Sequence, residues 1–199
     1  MISIIISVVA VCVTAAAGYI AYRTRQADHE RSRRQETLNV MKFWHERYYQ
    51  DEMVFLLVRR ILDVLAPNDC AHIESMRALS LDRKHRDLFA LFFKQKGLPH
   101  QFTTSTEDSF TVTEDQVNVL RAYILKYLNL LEIVAAGYYY GVTDRKMMEF
   151  EFRSVLFRND HYLCGPYISE TRRYPSLKAI EHDFRQAARE ENPKKSEIR

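Results

Sequence analysis

The chain has 199 residues, 28% of them charged, with five glycines, five prolines and a formal net charge of +3. Scarce turn-formers among many Leu, Glu, Arg and Lys favour a mostly helical protein of one domain plus appendages. The charge is too small to argue nucleic-acid binding, which needs a concentrated basic face, so nucleic acid stays an open question among the partners. Three cysteines, Cys12, Cys70 and Cys164, show no metal spacing and cannot all pair. Free thiols in a reducing compartment are the simple reading.

Residues 1–22, MISIIISVVAVCVTAAAGYIAY, carry no charged side chain. As a helix, Ile2 to Tyr22 covers about 30 Å, the thickness of a bilayer's hydrocarbon core. Arg23 and Arg25 follow at once, then Arg31, Arg33 and Arg34. Basic residues after the apolar run, rather than before it, argue against a cleaved signal peptide. The positive-inside rule places the N-terminus outside and the rest in the cytoplasm, with Tyr19 and Tyr22 in the interfacial belt. Ala10, Thr14 and Gly18 recur every four residues. Small residues at that period let two membrane helices approach closely, so this face is expected to pack a second copy.

Residues 23–36, RTRQADHERSRRQE, have no Gly or Pro and alternate in sign, as a charged helical stalk does. Their cations are placed to meet anionic lipid headgroups. Apolar residues then recur at helical spacing from Leu38 through Met41, Trp44, Tyr48, Phe55, Val58 and Leu62 to Leu65, predicting one amphipathic helix closed by Pro67-Asn68. A second helix is predicted within about 70–95, and Gly97 and Pro99 stop it. Residues 100–112, HQFTTSTEDSFTV, read as the one clear loop, because Ser and Thr hydroxyls compete locally for backbone groups. Thr113-Glu-Asp-Gln116 is a capping box opening an apolar helix over about 114–137. Arg121, Lys126, Asn129 and Glu132 interrupt that helix too often for a second membrane span. Gly141 suits a left-handed terminator, Thr143 or Asp144 an N-cap for a helix over about 144–158, and Pro175-Ser176 the start of a last helix over about 176–190. Residues 191–199 read as a disordered tail. The predicted domains are thus a transmembrane helix (1–22), a charged stalk (23–36), a cytoplasmic helical domain (37–190) and the tail, an all-α architecture in which the domain is a helical bundle.

Chemistry-bearing motifs are few. There is no Gly-rich phosphate loop, CxxC, HExxH or Gly-x-Ser-x-Gly. The seven histidines share no i,i+3 or i,i+4 spacing, so neither a metal nor a cofactor is expected. Arg153, Arg158 and His161 form the most suggestive cluster, since Arg and His side by side can polarise a phosphate and move a proton. HEPN ribonucleases place a His five to seven positions after an Arg. Here the separations are three and eight, which fit neither, and ion pairing is the plainer role. Asn129 and Glu132 lie one helical turn apart inside the apolar helix. A buried carboxylate needs a partner. Glu132 is therefore expected to meet Arg153 or Arg158 on the helix that folds back, and Asn129 to tie a backbone group. With Asp144, the pair makes a structural polar network.

The block YLNLLEIVAAGYYYGVTDRKMM (127–148), the ETLNVM segment (36–41) and the YPSLKAIEHDF segment (174–184) resemble a bacterial family of membrane-anchored helical proteins, the domain-of-unknown-function family numbered four-seven-six-zero. The matching positions are Tyr127, Leu128, Asn129, Glu132, Ala135, Gly137, Gly141 and Asp144. That resemblance implies architecture rather than an activity. More distantly, the chain resembles the HEPN-like membrane accessory protein of type VI CRISPR loci, which implies ring assembly at a membrane.

The sequence therefore leads to a non-enzymatic, membrane-anchored interaction or assembly module of the bacterial inner membrane, in stress response or phage defence. Its expected partners are membrane lipid, further copies of itself and a protein. Two alternatives remain: a membrane-tethered HEPN-like ribonuclease, and a pore-forming oligomer with Cys12 and Thr14 facing the pore.

Overall fold

A computed structural model describes residues 2–158, 161–162, 167–168, 173–180 and 182, with the side chains of 2–11, 104–106, 153–158 and 161–162 outside the description. Helix α1 runs unbroken from Ile2 to Gln50. At ~1.5 Å per residue it is about 73 Å long. Residues 12–35 of α1 are exposed throughout, and burial begins at Glu36 and Thr37. Among the described residues no helix is long and apolar enough to cross a membrane. Described side chains begin at Cys12, so the first half of the uncharged run falls outside that statement.

The amphipathic stretch predicted over 38–65 is two helices, not one. The backbone leaves the helical region at Asp51 (φ −130°, ψ 28°), and α2 follows over Glu52–Val64. Leu38 is half exposed, so the core stripe of α1 is Thr37, Val40, Met41, Trp44 and Tyr48. Helix α2 ends at Val64, just ahead of Pro67 as expected, and Pro67 has a second role. It opens α3 (Pro67–Glu74), where its missing N–H costs nothing, and Asp69 accepts from the Ala66 amide at 2.9 Å.

The chain is mostly helical, in keeping with the all-α expectation, and its domain also holds a small antiparallel sheet. Strand β1 (Leu79–Asp82) lies inside the predicted second helix, which breaks into α3, β1, a 3-10 turn (Arg83–His85) and α4 (Arg86–Gln95). Strands β2 (Thr103–Thr106) and β3 (Ser109–Val112) form a hairpin where a loop is expected. Strand order is β1-β3-β2, with Leu79 opposite Val112 and Leu81 opposite Phe110. The reason is period-2 burial. Leu79, Leu81, Phe110 and Val112 point inward while Ser80 and Asp82 face solvent. Phe110 packs on Phe89 and Phe102 at ring-centroid distances of 5.7 and 4.8 Å, fastening sheet to α4. A further two-residue hairpin, β4 (Phe157–Arg158) and β5 (His161–Tyr162), follows α6.

Helix α5 (Glu114–Tyr139) is the central helix, with its capping box formed as the sequence suggests. It ends in a Schellman motif. Gly141 sits at φ +67°, its N–H donates to the Tyr138 carbonyl at 3.1 Å, and the Val142 N–H donates to Gly137 at 3.1 Å. Helix α6 (Arg145–Leu156) then folds back, so that Phe152 meets Trp44 edge-on at 5.4 Å. Further along, Tyr48 meets Phe55 and Phe55 meets Tyr127 at 5.7 and 5.6 Å. Such pairs contribute about 0.5–1.5 kcal/mol each beyond area burial. One core runs from Trp44 to Ile180 and joins α1, α5, the sheet and a helical stretch at 175–180.

Candidate functional site

The first polar junction lies where α1 enters the domain. Thr37 is fully buried, its hydroxyl donating to the Arg33 carbonyl at 2.8 Å and accepting from the Asp144 N–H at 2.7 Å. Asp144 is also the N-cap of α6, taking the Met147 N–H on its carboxylate at 3.2 Å. Arg34 approaches that carboxylate at 3.8 Å from an exposed position, an ion pair worth about 0–1 kcal/mol. Gly137 leaves room for the Thr143 side chain in this turn. A Cβ there would stand 3.1 Å from Thr143 Cγ2 and 3.7 Å from Val40 Cγ2. This end of the domain therefore faces the apolar end of α1. Near the opposite end, Lys126 of α5 pairs with Asp51, so α5 runs antiparallel to α1.

A second junction holds the C-terminal segment. Both Glu132 carboxylate oxygens accept backbone N–H groups, from Ser176 at 2.9 Å and Leu177 at 3.0 Å. These are the free amides at the start of the 175–180 helix, where a helix is most positive. Nearby, the Tyr167 hydroxyl donates to Glu74, and Arg121 donates to the same carboxylate at 3.4 Å. Burial, then the Glu74 carboxylate, pushes the Tyr167 phenol far above its ordinary range. At the α1–α2 break, hydrogen bonding from Lys126 and the charges of Lys126 and Lys96 hold the Asp51 carboxyl below its usual range. Lys96 in turn lies 4.3 Å over the Tyr123 ring. These contacts orient the elements against one another.

The residues singled out from sequence are distributed as follows. Glu132 meets the Ser176 and Leu177 amides, an unsatisfied helix N-terminus supplying a positive partner, while the expected partners Arg153 and Arg158 have side chains outside the described residues. Asn129 is exposed, facing away from the core that Tyr127, Leu128 and Leu130 enter. Asp144 joins the Thr37 junction, not the Glu132 contact. Thr14 and Gly18 are exposed on the free part of α1, and the side chain of Ala10 lies outside the described residues. So do the side chains of Arg153, Arg158 and His161, although Arg158 and His161 are Cα partners across the β4–β5 hairpin. Cys164, most of the predicted last helix beyond Ile180 and the 191–199 tail also lie outside the described residues. Among the described residues, no group of three or more His, Cys, Asp or Glu is placed to hold a metal. Sequence reasoning missed Thr37, although it sits on the same three- and four-residue rhythm as Met41, Trp44 and Tyr48. It also missed Glu74 with Tyr167, partners 93 residues apart that no local pattern connects.

A family model described as Domain of unknown function (DUF4760) matches residues 69–193. Neither a search of curated proteins nor a search of solved structures found a match.

Proposed function

The chain belongs to the DUF4760 family, and from that premise we propose that it is a membrane-anchored, non-enzymatic interaction or assembly module. In this reading residues 1–22 cross the bacterial inner membrane with the N-terminus outside. The helical domain stands in the cytoplasm and binds further copies or a protein partner, in stress response or phage defence. What carries the reading is the continuity of α1, one helix from Ile2 to Gln50 that joins the uncharged run to the domain core. The arginines just after Tyr22 and the small-residue face at Ala10, Thr14 and Gly18 support anchoring and self-association respectively. Native mass measurement on the detergent-extracted protein is the test. Species heavier than the 23.6 kDa chain are expected from the membrane fraction. A strict monomer with no co-purifying partner overturns assembly, and recovery in the soluble fraction overturns anchoring.

A second reading, RNA cleavage by an HEPN-like centre, is favoured by one observation: the hairpin register sets Arg158 opposite His161. RNA degradation by the wild type that His161→Ala abolishes is its expected result. Equal activity in both, or none in either, removes it.

A further inference from the structure

Large apolar side chains are left in solvent on the α5–α6 turn: Tyr139, Tyr140 and Val142 are 46%, 70% and 51% exposed. Phe150, two turns into α6, is 83% exposed. Cations surround them. Arg145 and Lys146 follow on α6, and Arg31, Arg33 and Arg34 are exposed on the adjoining part of α1. Of the acids on the turn and α6, Glu149 is engaged by the Tyr138 hydroxyl at 2.7 Å and Asp144 by Thr37, Met147 and Arg34, while on α1 Asp28 and Glu30 stand exposed among five arginines from Arg23 to Arg34. Tyrosines beside cations, with an apolar body and a polar tip, are the chemistry of a bilayer's headgroup boundary.

Position agrees with chemistry. Because α5 runs antiparallel to α1 and α6 folds back, this turn is, among the described residues, the part of the domain nearest the apolar end of α1. We infer that the α5–α6 turn is a second membrane contact, resting on an anionic lipid surface through its tyrosines and cations. The inference depends on the anchored reading of residues 1–22. Thr37 is about 22 Å along the helix from Tyr22. The turn lies about 10 Å to one side of the α1 axis, so a tilt of ~40° lowers it to about 10 Å above the Tyr22 level. The headgroup layer above that level is about 5–7 Å deep, within reach of an extended tyrosine side chain. Docking thus selects a tilted state of α1.

The experiment uses the full chain reconstituted into vesicles of zwitterionic lipid, with or without anionic phosphatidylglycerol, carrying acyl chains brominated near the headgroup. Two reporters are read separately, Tyr140→Trp and Tyr22→Trp, each against the parent, whose single tryptophan, Trp44, is buried. Tyr140→Trp is expected to be quenched when anionic lipid is present. Adding Lys146→Gln and Arg33→Gln, both at exposed positions, should lower the docked-to-undocked ratio roughly thirty-fold. Tyr22→Trp should be quenched in every vesicle. Quenching at Tyr22→Trp with none at Tyr140→Trp overturns the second contact and leaves the anchor standing. Quenching at neither position overturns both. A concentration-dependent blue shift of Tyr140→Trp in detergent that lipid does not change assigns the turn to a second copy, and overturns the lipid contact.

Discussion

Replacing Thr37 by valine keeps shape and removes one oxygen, which isolates the hydrogen bond that seats α1 on the α5–α6 turn. In the wild type that oxygen accepts from the Asp144 N–H at 2.7 Å inside a fully buried site. The Arg33 carbonyl loses only a second donor, since the α1 backbone already satisfies it. The Asp144 N–H loses its partner. A typical net hydrogen bond contributes about 0.5–1.5 kcal/mol, and stranding a buried donor costs about 1–3 kcal/mol. The added methyl recovers part of this through burial, leaving a destabilisation of about 2 kcal/mol. For a chain of this size that lowers Tm by about 4–8 °C. Thr37→Ser retains the oxygen and loses one methyl, costing about 1 kcal/mol. Thermal unfolding in detergent gives the ranking, and hydrogen exchange at Asp144 gives the location, with protection lost in the valine variant and kept in the serine variant. If Thr37→Val melts with the wild type, or Thr37→Ser falls as far as Thr37→Val, the junction does not hold the helix as described.

Glu132→Gln leaves one good acceptor for two amides, and should weaken the 175–180 helix by about 1–3 kcal/mol, seen as faster proteolysis there with the sheet unaffected. Equal cleavage rates would refute the capping role. Asp51→Asn tests the ion cluster at the α1–α2 break. Because the folded carboxyl titrates below its unfolded value, its stabilisation is present at neutral pH and is lost as pH falls through the folded value. The variant should therefore lose about 1 kcal/mol at pH 7 and match the wild type near pH 2, in paired denaturant titrations. Met76 occupies the left-handed position that ends α3, at φ 56° with its side chain half exposed. Its N–H donates to Ile73 at 3.1 Å and the Arg77 N–H to His72 at 3.0 Å, a pattern glycine suits, so Met76→Gly should stabilise by about 0.5–1 kcal/mol. A lower Tm would show that the Met76 side chain makes a contact outweighing backbone strain.

What the sequence revealed and what it hid divide along the reach of each interaction. Thr113 with Gln116, Gly141 and the Asp144 cap act within a turn of the chain, and each carries a residue type selected by that geometry. The sheet does not. Leu79 finds Val112 only after the intervening helix and hairpin are in place, and a four-residue alternation such as Leu-Ser-Leu-Asp also fits a helical face. Ser and Thr around Phe102 and Phe110 read as loop because each hydroxyl can bond locally, yet the buried phenylalanines decide the outcome. For Glu132 the sequence signalled that a positive partner was needed. It could not distinguish a guanidinium from the amides of a distant helix, since either can hold a carboxylate.

The long first helix has a mechanical consequence. From Tyr19 to Gln50 it contains neither glycine nor proline, and its last third is wedged among Trp44's aromatic neighbours. No swivel separates its free end from the domain's interior. A twist or sideways push applied near residue 20 is delivered as torque at Thr37 and Trp44, so whatever grips that end also sets the direction in which the rest of the molecule points.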